Sequence, residues 1–296
     1  MTYPNEKQNK WPEASKAIPG LKSGLYIVAT PIGNLRDITL RALDTLAAAD
    51  VIVCEDTRVS GKLLSAYDIK GKMIPYNDHS DEKKRDEIIR KIKDGQSVAL
   101  ISDAGSPLIS DPGYKLVRQA RQCGVMVTAI PGASAVIAGL QLSGLPSDRF
   151  AFIGFLPNKQ KARQSFLRDW AGLQSTLVAY ETGPRLLDAL GDIAEIMGPR
   201  HVSVARELTK MYEEVRAAAV SELIDHYKDK GAPKGEIVLI IEGAADKVWS
   251  DAEIEEALQK ALLSMKTKAA ATYVADLSGR PRKTLYDLAL QISGKF

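Results

Sequence analysis

Short apolar runs alternate along this chain with longer segments in which apolar residues recur every third or fourth position, and this alternation limits the possible folds more than any other feature. LYIVA (25–29), VIVC (51–54), a short run near Met73–Tyr76, SVALIS (97–102) and VMVTAI (125–130) are spaced by helical patterns. These cover Thr39–Ala49, the region near Gly61–Tyr67, Asp81–Lys93 and Gly113–Gln122, and another helix starts after PGAS. In the first of them Leu40, Leu43, Leu46 and Ala47 share one face. Strands that are apolar at every position, instead of at every second one, are buried on both sides. That is the condition of a parallel sheet layered between helices.

LPSDR (145–149) is polar, holds a proline and predicts a hinge. A second series follows: FAFIGF (150–155), a helix over Ala162–Ala171, TLVAY (176–180), a helix over Leu186–Met197, HVSVA (201–205), a strand near Glu214–Ala218 and EIVLII (236–241). After Gly243 only helical patterns appear, over Asp251–Met265, Lys268–Leu277 and Thr284–Ile292. The expected organisation is a flexible tail at 1–23, an N-terminal α/β domain at 24–144, a second α/β domain at 145–245 and a basic helical domain at 250–296.

With 296 residues, 45% hydrophobic and 26% charged, the chain has globular composition and room for a large core. Only Cys54 and Cys123 are present, which excludes a disulfide framework or a four-cysteine zinc site and fits a reducing cytoplasm. No run approaches the roughly 18 to 20 apolar residues of a membrane span. The first twenty residues lack the apolar core of a signal peptide and predict a mobile tail. Net charge is +3, but Gln259–Phe296 holds seven basic residues against two acidic ones. Such an end suits either a polyanion or plain solvation.

Ligands of open parallel sheets bind beyond the carboxyl ends of the strands. Four strand ends of the first half carry small, polar or charged residues: TPIGNLRD (30–37), EDTR (55–58), SDAGSPLISDPG (102–113) and PGASA (131–135). There is no GxGxxG after the first strand and no GxxxxGK[ST]. Pro31 also removes a backbone donor, so a pyrophosphate nest is not expected and a ligand met by its ring and ribose is. Gly105, Gly132, Ala133 and Ala135 let backbone approach a flat ring, and Asp103 or Ser106 can bond hydroxyls.

Glu55, Asp56 and Arg58 are either catalytic or an inert ion pair. His79 is a candidate base or helix contact, while His201 and His226 are too scattered to form a zinc motif with it. Ser134 and Ser143 belong to no GxSxG elbow. Glu181, Glu207 and Lys210 follow strands of the second half, from which they can face the first across a cleft.

LYIVATPIGNLRDITLRAL, CEDTR, SDAGSPLISDPG, PGASA, GLPSDRF, GFLP and ARELTK, in that order, closely resemble the rRNA small-subunit methyltransferases. These form part of the tetrapyrrole methylase-like class of S-adenosylmethionine-dependent enzymes. The resemblance runs from about Leu25 to about Leu290, and TKAAATYVADLSGRPRKTLYDLAL resembles the family's small helical domain. Ala29 and Ala133 depart from the family pattern, where proline is common, without removing a polar contact.

The resemblance implies two α/β domains with the cofactor in the interdomain cleft, plus the C-terminal helical domain. It implies S-adenosylmethionine contacts from Pro31, Asp103, Ala104, Gly105, Ser106, Ile109, Ser134, Ala135, Glu181 and Leu208. DPG (111–113) is expected to start and orient the next helix instead. The implied reaction is methylation of the ribose 2′-hydroxyl of a cytidine in the decoding region of 16S rRNA, by a cytoplasmic homodimer acting on the small ribosomal subunit.

Methyl transfer needs alignment, exclusion of water and help for a weakly nucleophilic hydroxyl. Glu55, Asp56, Arg58 and Lys210 are the expected catalytic or positioning residues, with Asp56 or Glu55 as base. Arg280, Arg282 and Lys283, with Tyr286, are the expected rRNA contacts. A same-fold methyltransferase of a tetrapyrrole or a protein side chain, and a ribosome-binding module without catalysis, are the alternatives.

Overall fold

The computed structural model describes residues 20–77, 82–245 and 249–294. His79 and residues 1–19 of the expected tail lie outside them. Two compact units result, one ending at Gly243 and one starting at Ala244.

In the larger unit, β1 (Gly24–Val28), β2 (Val51–Cys54), β3 (Met73–Pro75), β4 (Ser97–Leu100) and β5 (Val127–Ile130) form a sheet in the order β3-β2-β4-β1-β5. Every pairing in it is parallel. β2 and β4 are buried at all positions, which is why their sequences are uninterruptedly apolar. The connecting helices are α1 (Leu40–Ala48), α2 (Thr57–Ala66), α3 (Glu82–Lys93) and α4 (Tyr114–Gln122). They build one core on each face: Ile88, Ile89, Ile92 and Leu116 on one side, Leu43, Leu46 and Leu64 on the other. Helix α2 starts four residues before the apolar pattern predicts. Asp56 caps it, its carboxylate accepting the Arg58 N–H at 2.8 Å, and that cap satisfies an otherwise orphan backbone donor.

The second sheet departs from the first. β6 (Phe150–Phe155), β7 (Thr176–Thr182), β8 (His201–Arg206), β9 (Glu214–Ala219) and β10 (Glu236–Ile241) take the order β6-β7-β10-β8-β9. Only β6 and β7 are parallel; β10 enters antiparallel between β7 and β8, and β8 and β9 form a hairpin. Helices α6 (Gln160–Trp170), α7 (Leu186–Met197) and α8 (Val220–Lys230) cover one face through Leu167, Leu190, Ile193 and Leu223.

The other face is covered by α5 (Ala135–Leu142), a helix that sequence assigned to the first half. Val136 and Leu140 pack on Val178, Val238 and Ile240. Gly139 permits the approach, since a Cβ there would stand 3.0 Å from Val238 Cγ1. The expected division at residues 145–149 is therefore not a break in packing. Thr176 Oγ1 donates to the Pro146 carbonyl at 2.6 Å, and one apolar cluster joins α5 to the second sheet.

The smaller unit holds α9 (Asp251–Leu262), α10 (Thr267–Ser278) and α11 (Arg282–Ile292) around Leu258, Ala270, Ala271, Val274, Leu285 and Ala289. Ser250 and Glu253 form a reciprocal capping box at its entry. Gly279, left-handed at φ 68°, ends α10 and allows the short turn into α11. Residues 244–296 carry eight Lys or Arg against seven Asp or Glu, so the unit as a whole is nearly neutral. Acidic residues gather at the start of α9, and the basic excess lies from Lys260 onward.

Candidate active site

The four polar strand ends of the first sheet converge through backbone and side-chain hydrogen bonds between their loops. Thr30 N–H donates to the Gly105 carbonyl at 2.8 Å and Gly105 N–H returns to Thr30 at 3.2 Å, locking the first loop to the third. Ser106 Oγ donates to the Ala133 carbonyl at 3.2 Å, which brings in PGASA. Asp103 Oδ1 accepts the Asp56 N–H at 3.2 Å and holds EDTR beside them. Gly105 sits at φ 80°, a conformation that a side chain would strain.

The opposing wall is the loop between β8 and β9. Asn34 N–H donates to Thr209 Oγ1 at 3.0 Å, so TPIGN reaches across to ELTK. Gly33 makes the crossing possible. Lys210 Cγ, Thr209 Oγ1 and the Leu208 carbonyl lie 2.5, 2.8 and 2.9 Å from where its Cβ would be. Strain concentrates at the same place. Among the described residues, five non-glycine residues have positive φ, and four of them, Leu108, Ser110, Glu207 and Thr209, belong to the two facing loops. Such conformations cost about 1–3 kcal/mol each and persist only where surroundings enforce them.

Between the walls lies a cleft of about 320 Å³. Asp103, Ala104, Gly105, Ser106, Ile109, Ser134, Ala135, Glu181, Leu208 and Lys210 all line it. Pro31 does not: it is buried, and its neighbour Ile32 takes the wall position. Glu55, Asp56 and Arg58 stand outside the lining. The Glu181 side chain is wholly buried and bonded to Thr182 N–H and to Arg185, at 2.7 and 3.0 Å, so residue 181 offers the cleft its main chain.

Sequence reasoning missed Phe155, Tyr180, Glu236 and Val238, which line the cleft from strands that read as ordinary core. Tyr180 packs edge-on to Phe152 at 4.9 Å and tilts against Phe155 at 5.2 Å, giving an aromatic wall. It also missed Ser110 and Asp111. Helix α4 begins at Tyr114 with Gly113 as its N-cap, so DPG does start the helix, while Ser110 and Asp111 of the same stretch also line the cleft.

Charge is uneven along the lining. Lys210 Nζ lies 3.0 Å from Glu207 and 3.3 Å from Glu236. Burial alone would pull its ammonium down, but the bond to Glu207 and the charge of Glu236 outweigh it, and Lys210 is held above its ordinary value. This cation is thus already shared between two carboxylates, and Asp103 and Asp111 leave the cleft negative. Burial, then the charge of Glu55, pushes Asp111 up to about 6; a bond from Ser102 offsets part of this, and Asp103 adds to it. Asp56 moves the opposite way. Its side-chain bonds to Arg58, with Oδ2 at 2.6 Å from Nη2, bring it down to about 2. Burial, Asp111 and Glu236 push Tyr180 up to about 12.

Residues 24–224 match the model of the tetrapyrrole (corrin/porphyrin) methylases, and residues 250–293 match that of the RsmI C-terminal HTH domain. The ribosomal RNA small subunit methyltransferase I of Erythrobacter litoralis is 53% identical over 272 residues, covering 92% of this chain and 96% of that one. The enzyme of the same name from Mesorhizobium japonicum is 45% identical over 273 residues, covering 92% and 93%. The chain belongs to the ribosomal RNA small subunit methyltransferase I family. Its fold is that of the tetrapyrrole methylases. A uroporphyrin-III-C-methyltransferase from Thermus thermophilus superposes with a TM-score of 0.52 at 20% identity, covering 74% of this chain and 94% of that one. The small subunit methyltransferase I family thus adds to this two-sheet body a helix-turn-helix domain, whose match here spans α9, α10 and α11.

Proposed function

We propose that this protein binds S-adenosylmethionine in the cleft and methylates the ribose 2′-hydroxyl of a cytidine in the decoding region of 16S rRNA, in the cytoplasm. The observation that carries the reading is the cleft itself: about 320 Å³, floored by Ala104, Gly105 and Ala135, walled by Phe155 and Tyr180, and negative. That volume is of small-molecule size. The floor admits a flat ring against backbone, and the excess of carboxylate suits a ligand carrying a sulfonium and an ammonium. When bound, S-adenosylmethionine supplies an electrophilic methyl group.

The chain supplies the rest. Ala104, Gly105, Ser134 and Ala135 seat the ligand by main chain, beside Ile32. Ile109 and Leu208 exclude water, and Asp103 meets ribose hydroxyls. Lys210 stays protonated and offers a positive charge to developing negative charge or to phosphate. Glu55, Asp56 and Arg58, beside the cleft, position substrate, and Asp56, clamped by Arg58, does not move a proton.

In the helical unit, Arg282 and Lys283 are exposed at the start of α11, beside Tyr286, where backbone donors and two cations face a phosphate chain together. Arg280 instead bonds Asp251 at 3.2 Å and braces the turn. The likeness to the family extends the reading to a homodimer acting on the assembled small subunit. Exposed Ile137, Leu142 and Phe150 are apolar surface of the kind a second copy covers.

The test is transfer of labelled methyl to purified small subunits, free 16S rRNA and a tetrapyrrole, followed by nucleoside analysis. Label in 2′-O-methylcytidine supports the reading, and label only in the tetrapyrrole contradicts it. Deleting residues 250–296, a compact unit with its own core, is expected to weaken rRNA binding by a factor of ten or more, about 1.4 kcal/mol, while cofactor affinity stays unchanged. Equal losses in both would give the helices a folding role instead.

A further inference from the structure

A ribose hydroxyl needs its proton removed as it attacks, and the residues near the cleft are not equally fit for that. Asp56 is bidentate to Arg58 and caps α2, so its lone pairs are spoken for. Lys210 carries its proton and is held by two glutamates. The Glu181 carboxylate is buried against Thr182 and Arg185. Asp103 accepts the Asp56 N–H and fixes the loops.

Asp111 differs in placement. Leu108, at φ 74°, is half-buried against the first core, and Ser110, at φ 63°, reverses the chain again. These two left-handed residues turn Asp111 into the cleft, between the third loop and the aromatic wall. The groups that face it are Glu55 at the end of β2, Asp103 and Ser102 in its own loop, and Tyr180 on β7. Glu207, Lys210 and Glu236 complete the charged lining. Among the described residues no cation is paired with Asp111, and Tyr180 alongside keeps its proton.

We propose that Asp111 accepts the proton of the attacking ribose hydroxyl, an inference that rests on the methyl-transfer reading above. Asp111 takes the proton as the oxygen bonds to the methyl carbon; the carbon–sulfur bond breaks with its electron pair left on sulfur, and the proton passes on to solvent. A carboxylate titrating near neutrality suits this task better than one clamped in an ion pair. The pH sign follows from the raised value: the acid form fills as pH falls through about 6, so the rate falls there, and above it the base is fully available.

The same burial makes Asp111 costly to the fold. Because its folded value lies above the ordinary aspartate value of 3.8, stability is lost as pH rises from there through about 6. Asp111→Asn removes that cost, so its melting temperature at pH about 8 is expected to equal or exceed that of the wild type.

The experiment measures single-turnover methylation of small subunits at saturating S-adenosylmethionine, with wild type, Asp111→Asn and Asp111→Glu, over a pH range of about 5 to about 8. Calorimetric affinity for S-adenosylhomocysteine and carbon-13 titration of the aspartate carboxyls accompany it. Expected is a rate loss on the order of 10²–10⁴-fold in Asp111→Asn, with the removal of one cleft carboxylate weakening affinity by far less. Partial recovery with its acid limb is expected in Asp111→Glu, with a carboxyl resonance titrating near 6 in the wild type that is missing from Asp111→Asn. A wild-type rate in Asp111→Asn, an acid limb that survives the substitution, or an affinity loss matching the rate loss would each overturn the proposal. Wild-type transfer to 2′-O-methylcytidine decides the underlying reading separately, since the inference turns only on the variant-to-wild-type ratio and the titration.

Discussion

Asp192→Ala is expected to destabilise the larger unit by about 3–5 kcal/mol, because it leaves Arg163 charged and buried without its partner. The pair is nearly inaccessible, at 3% and 2% exposure, with Arg163 Nε 2.6 Å from Asp192 Oδ2. Gln164 and Gln160 bond the other carboxylate oxygen at 2.9 and 3.3 Å, so the network is satisfied only while all its members stand. Its reach extends to the cleft. Arg163 also bonds the carbonyls of Pro157 and Asn158, the Asn158 side chain bonds Arg185, and Arg185 bonds Glu181 on the wall. The expected observations are an unfolding midpoint lowered by on the order of 10 °C and weaker cofactor binding at temperatures where the variant is still folded. A midpoint within about 2 °C of wild type would mean that the buried pair contributes little.

Gly33→Ala is expected to act at the cleft with little effect on either core. The new methyl group would meet Lys210 Cγ, Thr209 Oγ1 and the Leu208 carbonyl at 2.5–2.9 Å. Lys210 can swing away, but the Leu208 carbonyl is backbone and the Thr209 hydroxyl already accepts the Asn34 N–H. The loops must therefore part, and the ELTK wall moves off the ligand. Affinity for S-adenosylmethionine is expected to fall at least about tenfold, roughly 1.4 kcal/mol, with the melting midpoint nearly unchanged. Unchanged affinity would show that this crossing does not shape the pocket.

The first sheet was legible because its strands are covered on both faces and so advertise themselves as unbroken apolar runs, while Gly, Pro, Asp and Ser mark the loops at their ends. Those loops supplied half of the cleft lining. What remained hidden depends on pairing between distant segments. Nothing local in EIVLII reveals that β10 runs antiparallel between β7 and β8, yet that insertion sets Glu236, Ile237 and Val238 beside Tyr180. Nothing local in PGASAVIAGL reveals that α5 leaves its own sheet for the other.

Asp111 and Asp56 show how turn chemistry can mislead. DPG reads as a helix start, and its glycine does cap α4, but its aspartate, following left-handed Leu108 and Ser110, also lines the cleft. EDTR looks like a catalytic cluster, but its aspartate is a helix cap paired with Arg58. In each case backbone geometry assigns the carboxylate, and composition alone does not carry that information.

Calorimetric titration with S-adenosylmethionine of wild type and Ala104→Phe tests the central claim most directly. Ala104 is exposed on the cleft floor, so a large ring there fills the ligand's space without entering a core. One site per chain in the wild type, weakened at least about tenfold in Ala104→Phe at an unchanged melting temperature, is the result predicted. No heat of binding to the folded wild type, or equal affinity in the two proteins, would contradict it.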